Sequence, residues 1–318
     1  MSLRITAFRA AVVSLLFVGS VLADGIFAAR ANAGVIRHDV ADAAYQSLGG
    51  DPQYDSVGRI TFGSNSGSGS GVLVGQNWYL TAAHNVYANY LANTPGDVQF
   101  TVGSNTYVAD EIFVHPGYVS GSPTNGNDLA LVRVTSNVPN VTPADLHTSG
   151  GEIGEVGTFV GFGRTGTGLT GASVSSSAKR GGTNVLDLTA NAFNPLWSSN
   201  ITLSDFDNPS SAAYSSWGSA TPTALEIMSA VGDSGGGVFV NFGSGPVLVG
   251  ITAFVLFNGD GIDYGYGDGM GATRLAGHAE WIAQTMLVPE PASLSLASLG
   301  LLAAGAECLR RYRKRRRS

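Results

Sequence analysis

Three short segments hold residue types that together can carry out acyl transfer. Gly232-Asp233-Ser234-Gly235-Gly236 sets a serine among glycines. A serine nucleophile needs an exposed hydroxyl and backbone N–H groups aimed at the oxygen that turns negative, and flanking glycines let the chain turn tightly enough to supply both. Ser234 is therefore the candidate nucleophile, and the N–H groups of Gly232 and Ser234 are the candidate oxyanion donors. Leu80-Thr81-Ala82-Ala83-His84 ends in a histidine, whose ordinary pKa of about 6.5 lets it take up and return a proton near neutrality. Asn127-Asp128-Leu129-Ala130-Leu131-Val132 puts a carboxylate at the head of an apolar run that would carry it inward, where it can orient a histidine and stabilise the imidazolium. Singly, each has a plainer reading: a Gly-rich loop, one of five histidines (His38, His84, His115, His147, His278), a turn aspartate before a strand.

The elements that must position these residues read as β-structure. Short apolar runs at Gly71 to Val74, Trp78 to Thr81, Val98 to Val102, Ala130 to Val134, Gly157 to Val160, Gly237 to Val240 and Pro246 to Phe254 alternate with Gly, Ser, Asn and Asp clusters. That spacing predicts barrels or a sandwich. His84 is expected at the end of the strand that begins at Trp78, facing a cleft. The Gly/Ser run from Ser64 to Gly71 reads as a hairpin connection or a close backbone approach. Helical periodicity is convincing only from His278 to Thr285, around Trp281 and Ile282. A boundary between two halves is expected near Thr135 to Gly150, where Pro139, Pro143 and polar residues accumulate.

In the order His84, Asp128, Ser234, the three segments resemble the trypsin-like (chymotrypsin-fold) serine proteases. Gly161-Phe162-Gly163-Arg164, Leu248-Val249-Gly250-Ile251 and Thr273-Arg274 extend the similarity from about Val57 to Met286. The resemblance implies two six-stranded antiparallel β-barrels and a short C-terminal helix, with His84 and Asp128 from the first barrel and Ser234 from the second. It implies a serine endopeptidase that hydrolyses protein or peptide substrates through an acyl-enzyme, with no metal or cofactor. It also implies a specificity pocket at Met228, where trypsin carries an acidic residue, walled by Phe254 and Val255 in place of Trp and Gly. Small or apolar substrate side chains are then expected. Ala253 stands where a serine often supports the buried aspartate, removing a hydrogen bond worth about 0.5–1.5 kcal/mol. In animal relatives a new N-terminus pairs with the aspartate before the nucleophile, here Asp233. No activation motif precedes the first barrel, so loss of a signal peptide or another partner for Asp233 are both open. The alternative function is an inert trypsin-like module binding surface polysaccharide or protein, which the intact residue set speaks against.

With 44 glycines and 13% charged residues in 318, the chain reads as globular and turn-rich. Cys308 is its only cysteine, so no intrachain disulfide forms. Net charge is −6, yet seven of the 17 basic residues lie between Arg310 and Arg317. Without residues 1–33 and those after Pro289, 7 basic face 20 acidic residues, a net of −13. Such a body repels nucleic acid and anionic membranes. The acidic segments Asp205 to Asp207 and Asp260 to Asp268 lack EF-hand spacing and read as solvated loops rather than calcium sites.

Both ends read as addresses. Arg4 and Arg9, an apolar run from Ala10 to Ala23, and Ala31-Asn32-Ala33 have the order of a signal peptide spanning 1–33, cut by signal peptidase after Ala33 or, at a second site, after Ala23. An uncleaved anchor is the alternative. Pro289-Glu290-Pro291, the apolar stretch Ala292 to Ala306 and the basic end resemble the PEP-CTERM sorting signal of certain bacteria, here 287–318. That resemblance implies transient inner-membrane anchoring, processing by an exosortase-type enzyme, and a destination in the cell envelope, extracellular matrix or medium. An ordinary tail anchor is the alternative. The protease domain is then expected over 34–286.

Overall fold

A computed structural model describes residues 34–63, 65–175 and 178–287. The segments read as signal peptide (1–33) and as sorting signal from Val288 onward lie outside them. The described chain opens with β1 (Val35–Ile36) and α1 (Asp42–Gly49). Then β2 (Val57–Phe62), β3 (Asn65–Gly75), β4 (Trp78–Thr81), β5 (Val98–Val102), β6 (Asn105–Val114) and β7 (Ala130–Val134) close into a barrel in the order β2-β3-β4-β7-β6-β5. Strand period dictates which side chains go inside: in β5, Val98, Phe100 and Val102 are buried while Gln99 and Thr101 are only partly so. Tyr79 stacks on Phe100 within this core, their centroids 4.3 Å apart. The register that matters for function is β4 against β7, antiparallel with Thr81 opposite Ala130. The exit of β4, leading to His84, therefore lies beside the entry of β7, which follows Asp128.

The second half contains β8 (Val156–Gly161), β9 (Thr165–Thr167), β10 (Gly171–Val174), β11 (Arg180–Val185), β12 (Leu188–Thr189), α3 (Ala190–Phe193), β13 (Ile201–Asp205), β14 (Ile227–Met228), β15 (Gly237–Asn241), β16 (Pro246–Leu256) and β17 (Gly269–Arg274). Seven of these strands form an antiparallel sheet in the order β11-β8-β15-β16-β17-β13-β12. Its edge strands β11 and β12 are separated only by Leu186 and Asp187, so the sheet returns on itself. Asp187 N–H donates to the Leu203 carbonyl at 3.0 Å and Asn184 Nδ2 to that of Asp205 at 2.7 Å across the join. The structure is consistent with the two-barrel fold expected from the resemblance, one barrel being closed with six strands and the other a half-barrel of seven, in which β11 and β12 follow one another as a bent strand. A four-stranded sheet, β10-β9-β1-β14, threads Val35 and Ile36 between β9 and β14.

Four local expectations differ. Asn65 to Gly71 belongs to strand β3 rather than to a connection, its glycines giving no side-chain alternation to read, while the close backbone approach offered as the other reading is present where Ser70 N–H meets the Ser234 carbonyl at 2.9 Å. His84 lies on the first turn of α2 (Ala83–Ala92), with Ala82 as extended N-cap, rather than at a strand end. Neither α1 nor α2 was expected, because α2 buries only Ala83 and Val86, too thin a stripe for a periodic signal. Asp205, Asp207 and Asp268 are buried rather than solvated. Two of them staple loops: Asp205 accepts from the N–H groups of Ser216 and Trp217, and Asp268 from those of Asn258 and Gly265. The chain divides between Ala279 and Glu280. Helix α4 (Ala279–Met286) falls within a residue of its expected span and is tied by Thr285 Oγ1 donating to the Trp281 carbonyl at 2.7 Å.

Candidate active site

The β4–β7 register brings His84 and Asp128 together. Asp128 accepts twice from His84, at Oδ1 from the backbone N–H (2.9 Å) and at Oδ2 from ring Nδ1 (2.6 Å). A carboxylate can only accept, so Nδ1 carries the proton and Nε2 is left as the free base. The Asp128 side chain is 3% exposed and that of His84 38%, so the anion is inside and the base faces outward. Burial opposes the imidazolium, but the Asp128 charge and hydrogen bond outweigh it and hold the His84 pKa above the usual histidine value. Thr273 Oγ1 supports the pair by donating to the Asp128 carbonyl at 3.3 Å.

Ser234 lies half-buried on a turn that only glycine permits on either side. Gly232 and Gly235 have φ of +97° and +86°, and a Cβ on Gly235 would sit 2.0 Å from the Ser70 carbonyl oxygen. The turn is bonded throughout: Asp233 N–H to Ala230 O (2.9 Å), Gly236 N–H to Asp233 O (2.8 Å) and Gly235 N–H to Thr252 O (2.8 Å). Arg164 N–H holds the Val231 carbonyl at 2.7 Å. In a trans peptide N–H and C=O point oppositely. The bonds to Val231 O and Asp233 O thereby aim the N–H groups of Gly232 and Ser234, and among the described residues neither donates to another protein group. The first barrel reaches this turn directly, since Ser70 N–H (2.9 Å) and Asn85 Nδ2 (2.7 Å) both donate to the Ser234 carbonyl, and Ser70 Oγ donates to that of Gly232 (2.9 Å).

Asp233 points the other way, into the protein. Its carboxylate accepts from the N–H groups of Gly34 (2.9 Å), Ala230 (2.8 Å) and Gly163 (2.8 Å). Burial pushes its pKa up to about 6 against those three donors and the charge of Arg180. Gly34 is thus the partner that sequence reasoning left open. The Gly161-Phe162-Gly163 spacing also acquires a cause, because a Cβ on Gly161 or Gly163 would lie 2.4 Å from an Asp233 carboxylate oxygen. Ser70 and Asn85 were not singled out in the sequence, the Gly-X-Gly pattern around Ser70 being the available signal, whereas the cleavage site expected after Ala33 had already marked Gly34 as a new N-terminus.

A histidine tied to a buried aspartate, followed in the chain by a serine on a glycine turn with two unspent N–H groups, agrees with the family comparison. The profile of the trypsin family matches residues 48–282, well over half the chain. The chain belongs to the trypsin family. Among curated relatives, it is similar to a calcium-dependent serine proteinase of Mesocricetus auratus, 34% identical over 112 residues, covering 30% of this chain and 16% of that protein. It is also similar to the complement C1s subcomponent of Sus scrofa, 31% identical over 113 residues with 30% and 16% covered. The match thus spans about a sixth of the length of these relatives.

Of the positions expected to form the specificity pocket, Met228 is buried and Phe254 and Val255 are partly exposed. Met228 has no exposed surface; it pairs with Val35 and belongs to the core. Met270, 1% exposed, lies beside it, and Ser229 directs both N–H (3.3 Å) and Oγ (3.2 Å) at the Met270 sulfur. Phe254 and Val255 are half-buried on β16, and the Phe254 ring lies where a Cβ on Gly271 would otherwise be, 2.4 Å away. Ala253 falls at the register shift between Thr252 and Phe254, and Asp128 draws both its carboxylate bonds from His84 instead. Among the described residues no three His, Cys, Asp or Glu side chains are grouped as ligands for a metal ion.

Proposed function

We propose that the protein is a serine endopeptidase in which His84 is the general base, Asp128 its orienting carboxylate and Ser234 the nucleophile. The observation that carries this reading is the pair of aimed, unspent N–H groups at Gly232 and Ser234 on the turn that bears the serine. Buried N–H groups are almost always paired, so two left open at one turn fit a site for developing negative charge. In the proposed reaction Ser234 Oγ attacks the substrate carbonyl while His84 Nε2 takes its proton, and the oxyanion is held by the two donors. The tetrahedral species collapses as His84 returns the proton to the leaving amine, and water then hydrolyses the acyl-enzyme by the reverse sequence. Asp128 keeps Nδ1 protonated throughout. An apolar Met228 where trypsin carries an acidic residue, with Phe254 and Val255 as the expected wall, favours small or apolar residues on the acyl side of the cut bond, and cleavage after arginine would refute that preference.

The reading extends to maturation. A cut after Ala33 would leave the α-amine of Gly34, whose nitrogen stands 2.9 Å from Asp233 Oδ2. The ammonium would put a positive charge in direct hydrogen-bond contact with this carboxylate, where it now has amide donors and the charge of Arg180, so export and activation would be one step. The tail after Leu287 then serves as an exosortase-processed sorting signal that brings the enzyme to the envelope or beyond. The test of the core reading is fluorophosphonate labelling of the exported full chain beside Ser234→Ala. Labelling confined to the serine form supports it; a folded chain that never labels would favour an inert binding module.

A further inference from the structure

We propose that Asn85 is a positioning residue, a polar clasp that ties the helix bearing the base to the carbonyl of the nucleophile. The proposal rests on Ser234 being that nucleophile. Asn85 follows His84 on the first turn of α2, and its Nδ2 has two protons to give. One goes to the Ser234 carbonyl at 2.7 Å, and Thr81 Oγ1 lies within reach of the amide at 3.1 Å. Thr81 Oγ1 donates onward to the Ser70 carbonyl at 2.8 Å, and Ser70 N–H returns to the Ser234 carbonyl at 2.9 Å. The bonds form a closed ring in which each member orients the next.

The space around the ring is shaped for an amide. A Cβ on Gly69 would lie 2.7 Å from Asn85 Nδ2, and one on Gly235 would lie 3.0 Å from it. Glycine on both sides is what admits the side chain between the barrels. No covalent tie can substitute, because the chain's only cysteine is Cys308. With the Ser234 carbonyl held at one side and the Asp233 carbonyl at the other, the peptide planes on both sides of Ser234 are set, and with them the direction of its side chain relative to His84. An asparagine is required rather than its isostere, since an aspartate offers no proton to a carbonyl.

The test compares the exported wild type, its N-terminus confirmed at Gly34, with Asn85→Asp and Asn85→Leu prepared in the same way. The readouts are the fluorophosphonate labelling rate, kcat and KM on an N-acyl-alanine p-nitrophenyl ester at the pH plateau, and peptide-level hydrogen exchange over 232–236. A misplacement of the nucleophile approaching 1 Å costs up to about 100-fold in rate. Both variants should therefore lose about 10- to 100-fold in labelling rate and kcat, keep KM within about 2-fold, and exchange faster over 232–236 with little change elsewhere. Rates within 2-fold of wild type in Asn85→Asp, or accelerated exchange spread evenly over the whole chain, would overturn the clasp and leave Asn85 a space-filler. If the wild type itself fails to label, the nucleophile assignment falls and the positioning role falls with it. Local loss of exchange protection in Asn85→Leu would then show that the polar tie exists without serving catalysis.

Discussion

Blocking the cut after Ala33, by Ala33→Pro, should produce a folded chain with a badly ordered nucleophile turn. Asp233 is 6% exposed, and burial raises its pKa from 3.8 to about 6 in spite of its amide donors. At about 1.4 kcal/mol per pKa unit, that shift corresponds to roughly 3 kcal/mol held against the ionised turn at neutral pH. The sign follows from linkage: a carboxyl whose pKa is raised by folding favours the protonated form, so the penalty is absent below pH 3.8, grows to about pH 6 and is complete above it. In the cut chain the Gly34 ammonium offsets the penalty, and that contribution disappears at alkaline pH as the amine loses its proton. The assay is fluorophosphonate labelling rate and thermal midpoint from pH 5 to 10 for cut and blocked chains, with the N-terminus identified by sequencing. The cut chain should label at least about 10-fold faster at pH 7–8, with the gap closing at alkaline pH. Equal rates at pH 8, or an active chain that begins elsewhere, would refute the reasoning.

Gly163→Ala places a methyl 2.4 Å from Asp233 Oδ2 and 2.6 Å from its nitrogen, and should lower stability by about 1–3 kcal/mol and labelling with it, measured by urea unfolding and probe rate. His115 packs edge-on against His278 at 4.8 Å, and burial followed by the charge of His278 lowers its pKa to about 4. A depressed histidine pKa means stability is lost as pH falls from about 6.5 toward 4, and His115→Gln should flatten that acid limb in a thermal-midpoint series. Asp207, pushed up to about 7 by burial and by the Asp205 charge, works in the opposite direction, costing stability as pH rises from 3.8 through 7. Asp207→Asn should raise the midpoint at pH 8 and leave it nearly unchanged at pH 4.

Much of the frame was readable without coordinates. β4, β5 and β7 have the bounds their apolar runs suggested, because strand alternation and the flanking turn residues are local properties. The glycines around Ser234 announced a tight turn, and the apolar run after Asp128 announced a buried carboxylate. What stayed hidden depended on partners distant in the chain. The Gly34 amide meets Asp233 across 199 residues, and Asn85 meets Ser234 across 149. Nothing in the composition around Asn85 names its partner, since an asparagine occurs everywhere, whereas for Gly34 the cut expected after Ala33 and the family's pairing of a new N-terminus with Asp233 pointed to the contact without giving its geometry. Burial of Asp205, Asp207 and Met228 was equally invisible, because a short acidic or apolar stretch looks the same on a surface loop as beneath one. Local sequence determined where the chain turns, pairs and places its reactive groups. The tertiary fold decided which backbone groups those residues face, because hydrogen bonds and burial follow proximity in space, which no single segment carries.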